Sequence, residues 1–298
     1  MSGVRTAPDR GGTRHGRRKR YVTTPRVKTT KAFYRTGSTT WFASRHDQRF
    51  SFGLHIPSVH ETTDTPLPLM VIQHGTARTA AQYRDAMAEF SERHGCVVLT
   101  PLFPAGIGDP EDLHNFKFIE YRGIRYDEEL LAMVAEAGER FHIDTGRFLL
   151  QGFSGGGQFA HRFLYLHPER LCGVSIGAPG RVTLIDPDRE WWLGTAGFEE
   201  RFGAPLRLEE IRKVPVHMAV GAEDTETWEI NNPGDSNWMD GADAVGRTRV
   251  ERITALRDNY TALGIDVTLD IVPGVGHRGM GVLDAVRAFA ERVLPRVV

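Results

Sequence analysis

The feature that most constrains the fold of this 298-residue chain is the pentapeptide Gly152-Phe153-Ser154-Gly155-Gly156. It follows the apolar run Phe148–Leu150 and opens an amphipathic stretch that ends near His167, so the predicted context is strand, sharp turn and helix. Such a turn brings backbone segments so close together that only small residues fit beside the serine. The pattern therefore favours a nucleophile elbow over an ordinary glycine-rich turn and makes Ser154 a candidate nucleophile.

The rest of the chain alternates predicted strands with predicted helices. Strands are predicted at residues 50–56, 69–72, 96–99, 172–176, 215–220 and 267–272, besides the elbow strand. Helices are predicted at residues 80–94, 126–141, 245–263 and 282–294, besides the elbow helix, with Thr79 as an N-cap. This alternation indicates an α/β fold with a mainly parallel central sheet and helices on both faces.

Two long segments interrupt the alternation. Residues 181–213 contain Trp191 and Trp192, and residues 227–244 contain Trp228 and Trp238. Long connections in compact domains are usually functional or disordered, and tryptophans argue against disorder. Both segments follow strands of a parallel sheet, so they emerge at the edge where ligands bind. We expect a short cap whose four tryptophans contact the substrate, in preference to tryptophans that only complete the core.

A serine hydroxyl is a weak nucleophile near neutral pH, so Ser154 needs a base within hydrogen-bonding reach and a group that orients this base. His277 is the candidate base, because it alone of the twelve histidines follows the last predicted strand and precedes the last helix. Asp224 is the candidate acid, since the fourth position after such a strand turns back towards the histidine loop. Asp235 and Asp240, on the same long loop, stay open as alternatives.

A tetrahedral intermediate also needs hydrogen-bond donors for its oxyanion. One donor is expected to be the backbone N–H of Gly155, at the positive end of the elbow helix. The second is assigned to the N–H of Thr76, in the turn after the predicted strand 69–72. His74, in the same turn, is expected to hold it by hydrogen bonding rather than to act as a base.

Metal and cofactor motifs are absent from the sequence. His114, His142 and His217 show no spacing to other ligands that predicts a metal site. No phosphate loop of the Walker type occurs, and the glycines at 155–157 suit an elbow better than a dinucleotide fingerprint. We therefore expect chemistry without a metal or cofactor.

The first 31 residues differ from the rest in charge. They contain ten Lys and Arg residues against one Asp, which gives them a charge of +9 and the remainder a charge of −10. Such a segment cannot bury enough apolar surface to offset its ordering entropy. We expect residues 1–31 to be a disordered basic tail and residues 32–298 to be one catalytic domain. A solvated extension is favoured over nucleic-acid binding by this tail.

Several features of the sequence bear on its compartment. No window approaches the ~18 to 20 apolar residues of a membrane span. The cluster Arg17–Arg20 lacks the apolar segment that follows the twin arginines of an export signal. Cys96 and Cys172 each begin an apolar run and are expected to be free thiols. These features favour a cytoplasmic protein, and the oligomeric state stays open.

Three motifs resemble a known family. Residues 74–83, the elbow at 152–157 and the segment His167–Arg170 are similar to the polyhydroxyalkanoate depolymerase and feruloyl esterase group of the α/β-hydrolase superfamily. The resemblance runs from about residue 50 to residue 295 and implies the α/β-hydrolase fold with a serine, acid and histidine triad in that order. Members that act on polymers are usually secreted, whereas this sequence shows no export signal. We therefore expect a serine carboxylesterase whose substrate is a small-molecule ester.

The resemblance leaves other functions open. A peptidase of the same fold is disfavoured because no propeller-like domain restricts access to the serine. An acyltransferase begins with the same acyl-serine and differs only in the second nucleophile. A binding protein that keeps the fold without chemistry is disfavoured because all three triad residue types are present. Ser154 stands where haloalkane dehalogenases and dienelactone hydrolases carry Asp or Cys, so those activities are not expected.

Overall fold

The computed structural model describes residues 35–228 and 230–295, so the tail predicted at residues 1–31 lies outside the described part. The described residues form eleven strands and eight α-helices. The strands are β1 (Gly37–Ser38), β2 (Phe42–Ala43), β3 (Ser51–Ile56), β4 (Leu67–Gln73), β5 (Val97–Leu102), β6 (Glu120–Tyr121), β7 (Ile124–Arg125), β8 (Ile143–Phe153), β9 (Leu171–Gly177), β10 (Val216–Gly221) and β11 (Val267–Val272). The helices are α1 (Ala80–Ala86), α2 (Ala88–His94), α3 (Tyr126–Arg140), α4 (Gly155–Leu166), α5 (Phe198–Phe202), α6 (Leu208–Ile211), α7 (Arg249–Ala262) and α8 (Leu283–Val293).

One central sheet contains nine of these strands, in the order β1-β3-β5-β4-β8-β9-β10-β11, with β2 paired to β3. All neighbours from β5 to β11 are parallel, whereas β1, β2 and β3 pair antiparallel. A separate antiparallel pair joins β6 to β7. The parallel strands all end at one edge of the sheet, and the loops at this edge carry the candidate site.

Helices cover both faces of this sheet. On one face, Phe289 of α8 stacks on the His217 ring of β10. On the other face, Phe163 of α4 packs against Phe148 of β8. Strands covered on both sides are apolar throughout, and every residue of β4 is buried. The mainly parallel α/β architecture predicted from the sequence is confirmed.

Two helices differ from their predicted bounds. The helix predicted at 80–94 is divided at Met87, and Tyr83, Met87 and Phe90 are all buried in the core. Thr79 precedes this helix but makes no side-chain cap hydrogen bond. The helix predicted from residue 245 begins at Arg249, because Thr248 and Glu251 form a capping box.

The two long segments predicted as a cap contact each other. Arg181 forms an ion pair with Asp235 at 2.9 Å, and the indole N–H of Trp192 donates to the Asn237 carbonyl at 3.1 Å. The first segment also contains the short helices α5 and α6. Across the described ranges, no helix combines the length and apolarity that crossing a membrane requires.

Candidate active site

Ser154 lies in the turn between β8 and α4. Its backbone has φ 57° and ψ −116°, a conformation that non-glycine residues rarely adopt, and its N–H donates to the Gly177 carbonyl. A Cβ on Gly152 would lie 2.1 Å from the Gly156 carbonyl oxygen, and a Cβ on Gly156 would lie 2.3 Å from the Gln73 carbonyl oxygen. The glycines around Ser154 are therefore required by close backbone approach, and they project the serine above the edge of the sheet.

Hydrogen bonds join the three candidate triad side chains. Ser154 Oγ lies 3.0 Å from His277 Nε2, and His277 Nδ1 lies 2.6 Å from Asp224 Oδ2. The Asp224 side chain is fully buried, whereas the His277 side chain is 20% exposed. Because a carboxylate can only accept, Nδ1 carries the proton that binds Asp224, and Nε2 is left to accept from the serine hydroxyl.

The loops that carry the acid and the histidine are held to each other by their backbones. The N–H of Ala222 donates to the Val272 carbonyl and that of Glu223 donates to the Val275 carbonyl, both at 2.9 Å. A Cβ on Gly221 would lie 2.0 Å from the Val275 carbonyl oxygen, so only glycine permits this approach. The loops that follow the adjacent parallel strands β10 and β11 thus hold Asp224 and His277 in a fixed relative position.

Asp224 is the candidate acid that contacts the histidine. Its alternatives lie elsewhere, since Asp235 pairs with Arg181 and Asp240 accepts from the N–H of Gly241. Asp224 also lies 3.5 Å from Arg249, the first residue of α7. Sequence reasoning missed Arg249.

Arg249 joins the acid to the segment that follows it. Its guanidinium is buried and donates to the carbonyls of Glu226 and Trp228, at 3.3 and 3.1 Å. It also lies 5.5 Å from the centre of the Trp228 ring. The same cation therefore contacts both the candidate acid and a tryptophan that is 51% exposed.

The two expected oxyanion donors lie side by side. A Cβ on Gly155 would lie 3.2 Å from Thr76 N, and one on Gly75 would lie 3.5 Å from Ser154 Cβ. Within the described chain, neither the N–H of Gly155 nor that of Thr76 has a hydrogen-bond acceptor. Both groups are thus able to donate to a ligand beside the serine.

His74 holds the turn that carries Thr76. Its Nε2 accepts from the N–H of Phe103 at 3.0 Å, so the proton is on Nδ1, which donates to the Gly75 carbonyl at 2.8 Å. Full burial lowers the pKa of His74 to about 3, which keeps the ring neutral. This matches the holding role expected of it.

Lys117 is a second residue near the candidate site that sequence reasoning missed. It lies in a short 3-10 turn, Asn115–Phe118, and is 3% exposed. A Cβ on Gly155 would lie 2.9 Å from Lys117 Cε. Its Nζ lies 2.7 Å from Nδ1 of His114. The aliphatic end of the Lys117 side chain therefore packs beside Gly155, while its ammonium hydrogen-bonds His114.

The four tryptophans fall into two groups. Trp192 is buried against Phe118, and Trp191 packs on Phe198 and Phe202 within the first long segment. Trp228 and Trp238, in the second segment, are 51% and 43% exposed. The first pair thus packs within the segment itself, and the second pair is the more exposed to solvent.

A second row of serine, histidine and aspartate crosses the sheet. Ser175 Oγ lies 2.8 Å from Nδ1 of His217, and His217 Nε2 lies 3.1 Å from Asp270. Ser175 and His217 are fully buried and lie within β9 and β10. This row lacks an elbow, so its serine is not presented to a ligand.

The described residues contain no group of three His, Cys, Asp or Glu side chains that could hold a metal ion.

No protein-family model matches this sequence, and no curated protein matches it either. Several solved structures, in contrast, are similar to this chain. Poly(aspartic acid) hydrolase-1 from Sphingomonas sp. KT-1 is 19% identical and superposes with a TM-score of 0.68, over 85% of this chain and 98% of that one. The poly(3-hydroxybutyrate) depolymerase LpqC from Bordetella parapertussis is 22% identical with a TM-score of 0.63, over 83% and 86%.

A third similar structure is FphF, a fluorophosphonate-binding serine hydrolase of Staphylococcus aureus. It is 12% identical, with a TM-score of 0.58 over 87% of this chain and 97% of that one. Structural similarity at such low sequence identity establishes the fold alone. Together with the sheet order, they confirm the α/β-hydrolase fold expected from the sequence.

Proposed function

We propose that this chain, which has the α/β-hydrolase fold, hydrolyses carboxylic esters through an acyl-serine intermediate. Ser154 is the nucleophile, His277 the general base and acid, and Asp224 the group that orients and stabilises the imidazole. The observation that supports this most is the unbroken hydrogen bonding from Ser154 Oγ through His277 to the buried Asp224. A serine hydroxyl becomes nucleophilic when a positioned base removes its proton.

The first half of the reaction forms the acyl-serine. Ser154 Oγ attacks the ester carbonyl carbon, and its proton passes to His277 Nε2. The oxyanion accepts from the N–H groups of Gly155 and Thr76, an interaction that is often worth about 3 kcal/mol per donor. The carbon–oxygen bond to the alcohol then breaks, and the leaving alkoxide takes the proton back from His277.

The second half restores the enzyme. His277 removes a proton from water, the hydroxide attacks the acyl carbon, and the bond to Ser154 Oγ breaks as that oxygen regains the proton. The products are a carboxylic acid and an alcohol, and no cofactor enters the balance.

The two long segments, 181–213 and 227–244, form the proposed cap. Arg249 links the acid to the carbonyl of Trp228, so the exposed ring of Trp228 stands near the triad. We propose that Trp228 and Trp238 contact the substrate and that Trp191 and Trp192 support them. The similar depolymerase and serine hydrolase support ester hydrolysis in general, and the expected cytoplasmic location stays a prediction.

The test is turnover of p-nitrophenyl esters of graded acyl length. Wild-type protein should hydrolyse them, and Ser154→Ala should lower kcat/KM by about a thousandfold or more. Ser175→Ala is the matched control, since it removes a serine that also bonds a histidine. Equal activity of folded wild type and Ser154→Ala, or no turnover by wild type, would refute the proposal.

The alternatives give different products. A peptidase would cleave p-nitroanilides at rates comparable to esters. An acyltransferase would pass the acyl group to an added alcohol faster than to water. A binding protein would bind esters without releasing the alcohol.

A further inference from the structure

Strand β11 forms one edge of the central sheet, and its outer side has no partner strand among the described residues. On its inner side, the N–H of Val216 in β10 donates to the Asp266 carbonyl, and the two strands continue in register from there. Backbone groups alternate in direction along a strand, so the N–H and C=O groups of Val267, Leu269 and Ile271 point away from β10. Within the described chain these groups have no hydrogen-bond partner. A row of unpaired backbone groups is a template for a further strand.

The two edges of the central sheet differ in length and composition. At the opposite edge, β1 and β2 have two residues each, and such short strands offer little to a further strand. β11 has six residues and contains no Pro, Lys or Arg, which commonly protect an exposed edge. Its one charged side chain, Asp270, accepts from His217 within the sheet, and its Ile271 is 46% exposed, more than any other large aliphatic side chain in the described part. β11 thus has the length, the composition and the free backbone groups of a strand that pairs.

We propose that β11 pairs with β11 of a second copy of this chain, so that two central sheets join into one continuous sheet. A closed pair of identical copies uses the same edge twice, which makes the two strands antiparallel. A second copy is favoured over an unrelated strand because β11 is complementary to itself, both in hydrogen bonding and in charge. This association is independent of the proposed function.

One register of the two strands satisfies both kinds of complementarity. With the two-fold axis at Leu269, this residue lies opposite Leu269 of the second copy, and Val267 lies opposite Ile271. The residues whose backbone groups point outwards then face one another and exchange hydrogen bonds in pairs. Asp270 lies opposite Thr268, so a carboxylate meets a hydroxyl donor. Moving the axis one residue towards the end of β11 would set the two Asp270 carboxylates against each other, and moving it towards the start would leave Ile271 beyond β11 of the second copy.

The same register covers the exposed side chain of Ile271. Val267, Leu269 and Ile271 lie on one face of β11, because side chains alternate between faces along a strand. Val267 and Leu269 already pack partly against the core, whereas Ile271 is exposed. In the pair, Ile271 lies beside Val267 of the second copy and loses contact with water, which stabilises the association. Because the strands are antiparallel, the carboxyl edges of the two sheets point in opposite directions, and each copy keeps its own candidate triad.

The first experiment measures the mass of the full chain by sedimentation equilibrium at concentrations from about 1 to 100 μM. Wild type should have twice the mass of one chain in the upper part of this range. Ile271→Lys should have the mass of one chain, since an ammonium without a partner opposes pairing at this edge. Two control variants should remain dimers. Leu113→Lys changes a similarly exposed apolar side chain elsewhere, and Thr268→Lys places an ammonium opposite Asp270 of the second copy.

The second experiment tests the register. Thr268 and Asp270 of the second copy form a pair without backbone hydrogen bonds, in which the Cα atoms are about 4.5 Å apart, close enough for a disulfide. A chain that carries both Thr268→Cys and Asp270→Cys should therefore form a disulfide-linked dimer on mild oxidation. Mass spectrometry should locate the bond between residues 268 and 270. Thr268→Cys alone and Asp270→Cys alone are the controls and should form almost no linked dimer.

Three results would overturn the proposal. A wild-type chain that stays a monomer up to about 100 μM does so, because the edge is then left free or is covered by something else. A dimer that persists in folded Ile271→Lys, or one that forms no bond between residues 268 and 270, does so because it uses another surface or register. Should Ile271→Lys not fold, the wild-type mass and the cross-link decide. Ester turnover per chain should be unchanged in folded Ile271→Lys, so association and hydrolysis are tested separately.

Discussion

In the described part of the chain, two rows of serine, histidine and aspartate occur, and one of them has the surroundings expected of an active site. Ser154, His277 and Asp224 lie on loops at the carboxyl edge of the sheet. Ser175, His217 and Asp270 lie inside three neighbouring strands. Both rows have hydrogen-bond distances in the same range, so the contacts among the three side chains do not distinguish them.

The difference lies in what surrounds each row. Ser154 stands on a strained turn beside two N–H groups that have no acceptor within the described chain, and its aspartate is buried. Ser175 is fully buried within the sheet, and the Asp270 side chain is 56% exposed. A triad needs access for a carbonyl group, donors for its oxyanion and a sheltered acid. The row of Ser175, His217 and Asp270 has none of these. Its hydrogen bonds instead satisfy the buried imidazole of His217.

The largest expected difference between the rows concerns the histidines. His277→Gln should lower kcat/KM on p-nitrophenyl esters by about a thousandfold or more, because it removes the base that is hydrogen-bonded to the serine hydroxyl. His217→Gln should leave kcat/KM per folded molecule within about threefold and lower the free energy of unfolding by about 1 to 3 kcal/mol, since it disturbs a buried hydrogen bond. Ester kinetics and urea unfolding on both variants measure this. A catalytic loss in His217→Gln without a stability loss would contradict the comparison.

The second largest difference in kcat/KM is expected between substitutions of the two aspartates. Asp224→Asn should lower kcat/KM by about a hundredfold to ten-thousandfold, because the amide can hold the wrong tautomer of His277 and cannot stabilise the imidazolium. Asp270→Asn should change it by less than about twofold, since Asp270 is largely solvated. Kinetics at the pH optimum decide between these outcomes. Similar small effects of both substitutions would remove Asp224 from the mechanism.

Arg249 gives a further contrast between the two rows. Asp224 pairs with this buried cation, whereas Asp270 has no such partner among the described residues. Arg249→Gln should lower kcat/KM by about 5- to 30-fold, since Asp224 loses a charged neighbour and the carbonyls of Glu226 and Trp228 lose their donor. Arg249→Lys keeps the charge and serves as the control. Unchanged kcat/KM in folded Arg249→Gln would show that the arginine does not help to position the acid.

The smallest expected effect is the dependence of the free energy of unfolding on pH. Burial lowers the pKa of His217 below its ordinary value and that of His74 to about 3, so both are neutral in the folded chain. The unfolded chain binds more protons as pH falls below about 6.5, so the folded state loses stability there. For His74 alone the loss between pH 6.5 and pH 5 is about 2 kcal/mol. Urea unfolding at pH 7.5 and 5.0 measures it, and equal stability at both values would contradict the buried neutral rings.

Much of the fold was readable from the sequence because its signals are local. Short runs rich in apolar residues marked five of the six parallel strands, β11 showed apolar residues alternating with Thr268 and Asp270, and the glycines around Ser154 marked the elbow. Strands β1, β2, β6 and β7 were missed because each has two residues, too few to show a period. The start of α7 was placed too early because the capping box at Thr248 was overlooked.

The candidate site was readable only in part. The serine, the histidine and the first-choice aspartate that the structure brings together were each singled out by their place after a strand. Lys117 and Arg249 were not, since neither belongs to a motif. Their contacts with Gly155 and Asp224 join residues 38 and 25 positions apart, and only tertiary structure creates them.

The most direct test of the account is the site of covalent labelling by a fluorophosphonate. Folded protein is treated with the probe, and peptide mass spectrometry locates the adduct. We predict one adduct, on Ser154, with none on Ser175, and loss of labelling in Ser154→Ala and His277→Gln. An unlabelled folded protein, or an adduct on another residue that persists in Ser154→Ala, would contradict the claim that Ser154 is the activated nucleophile.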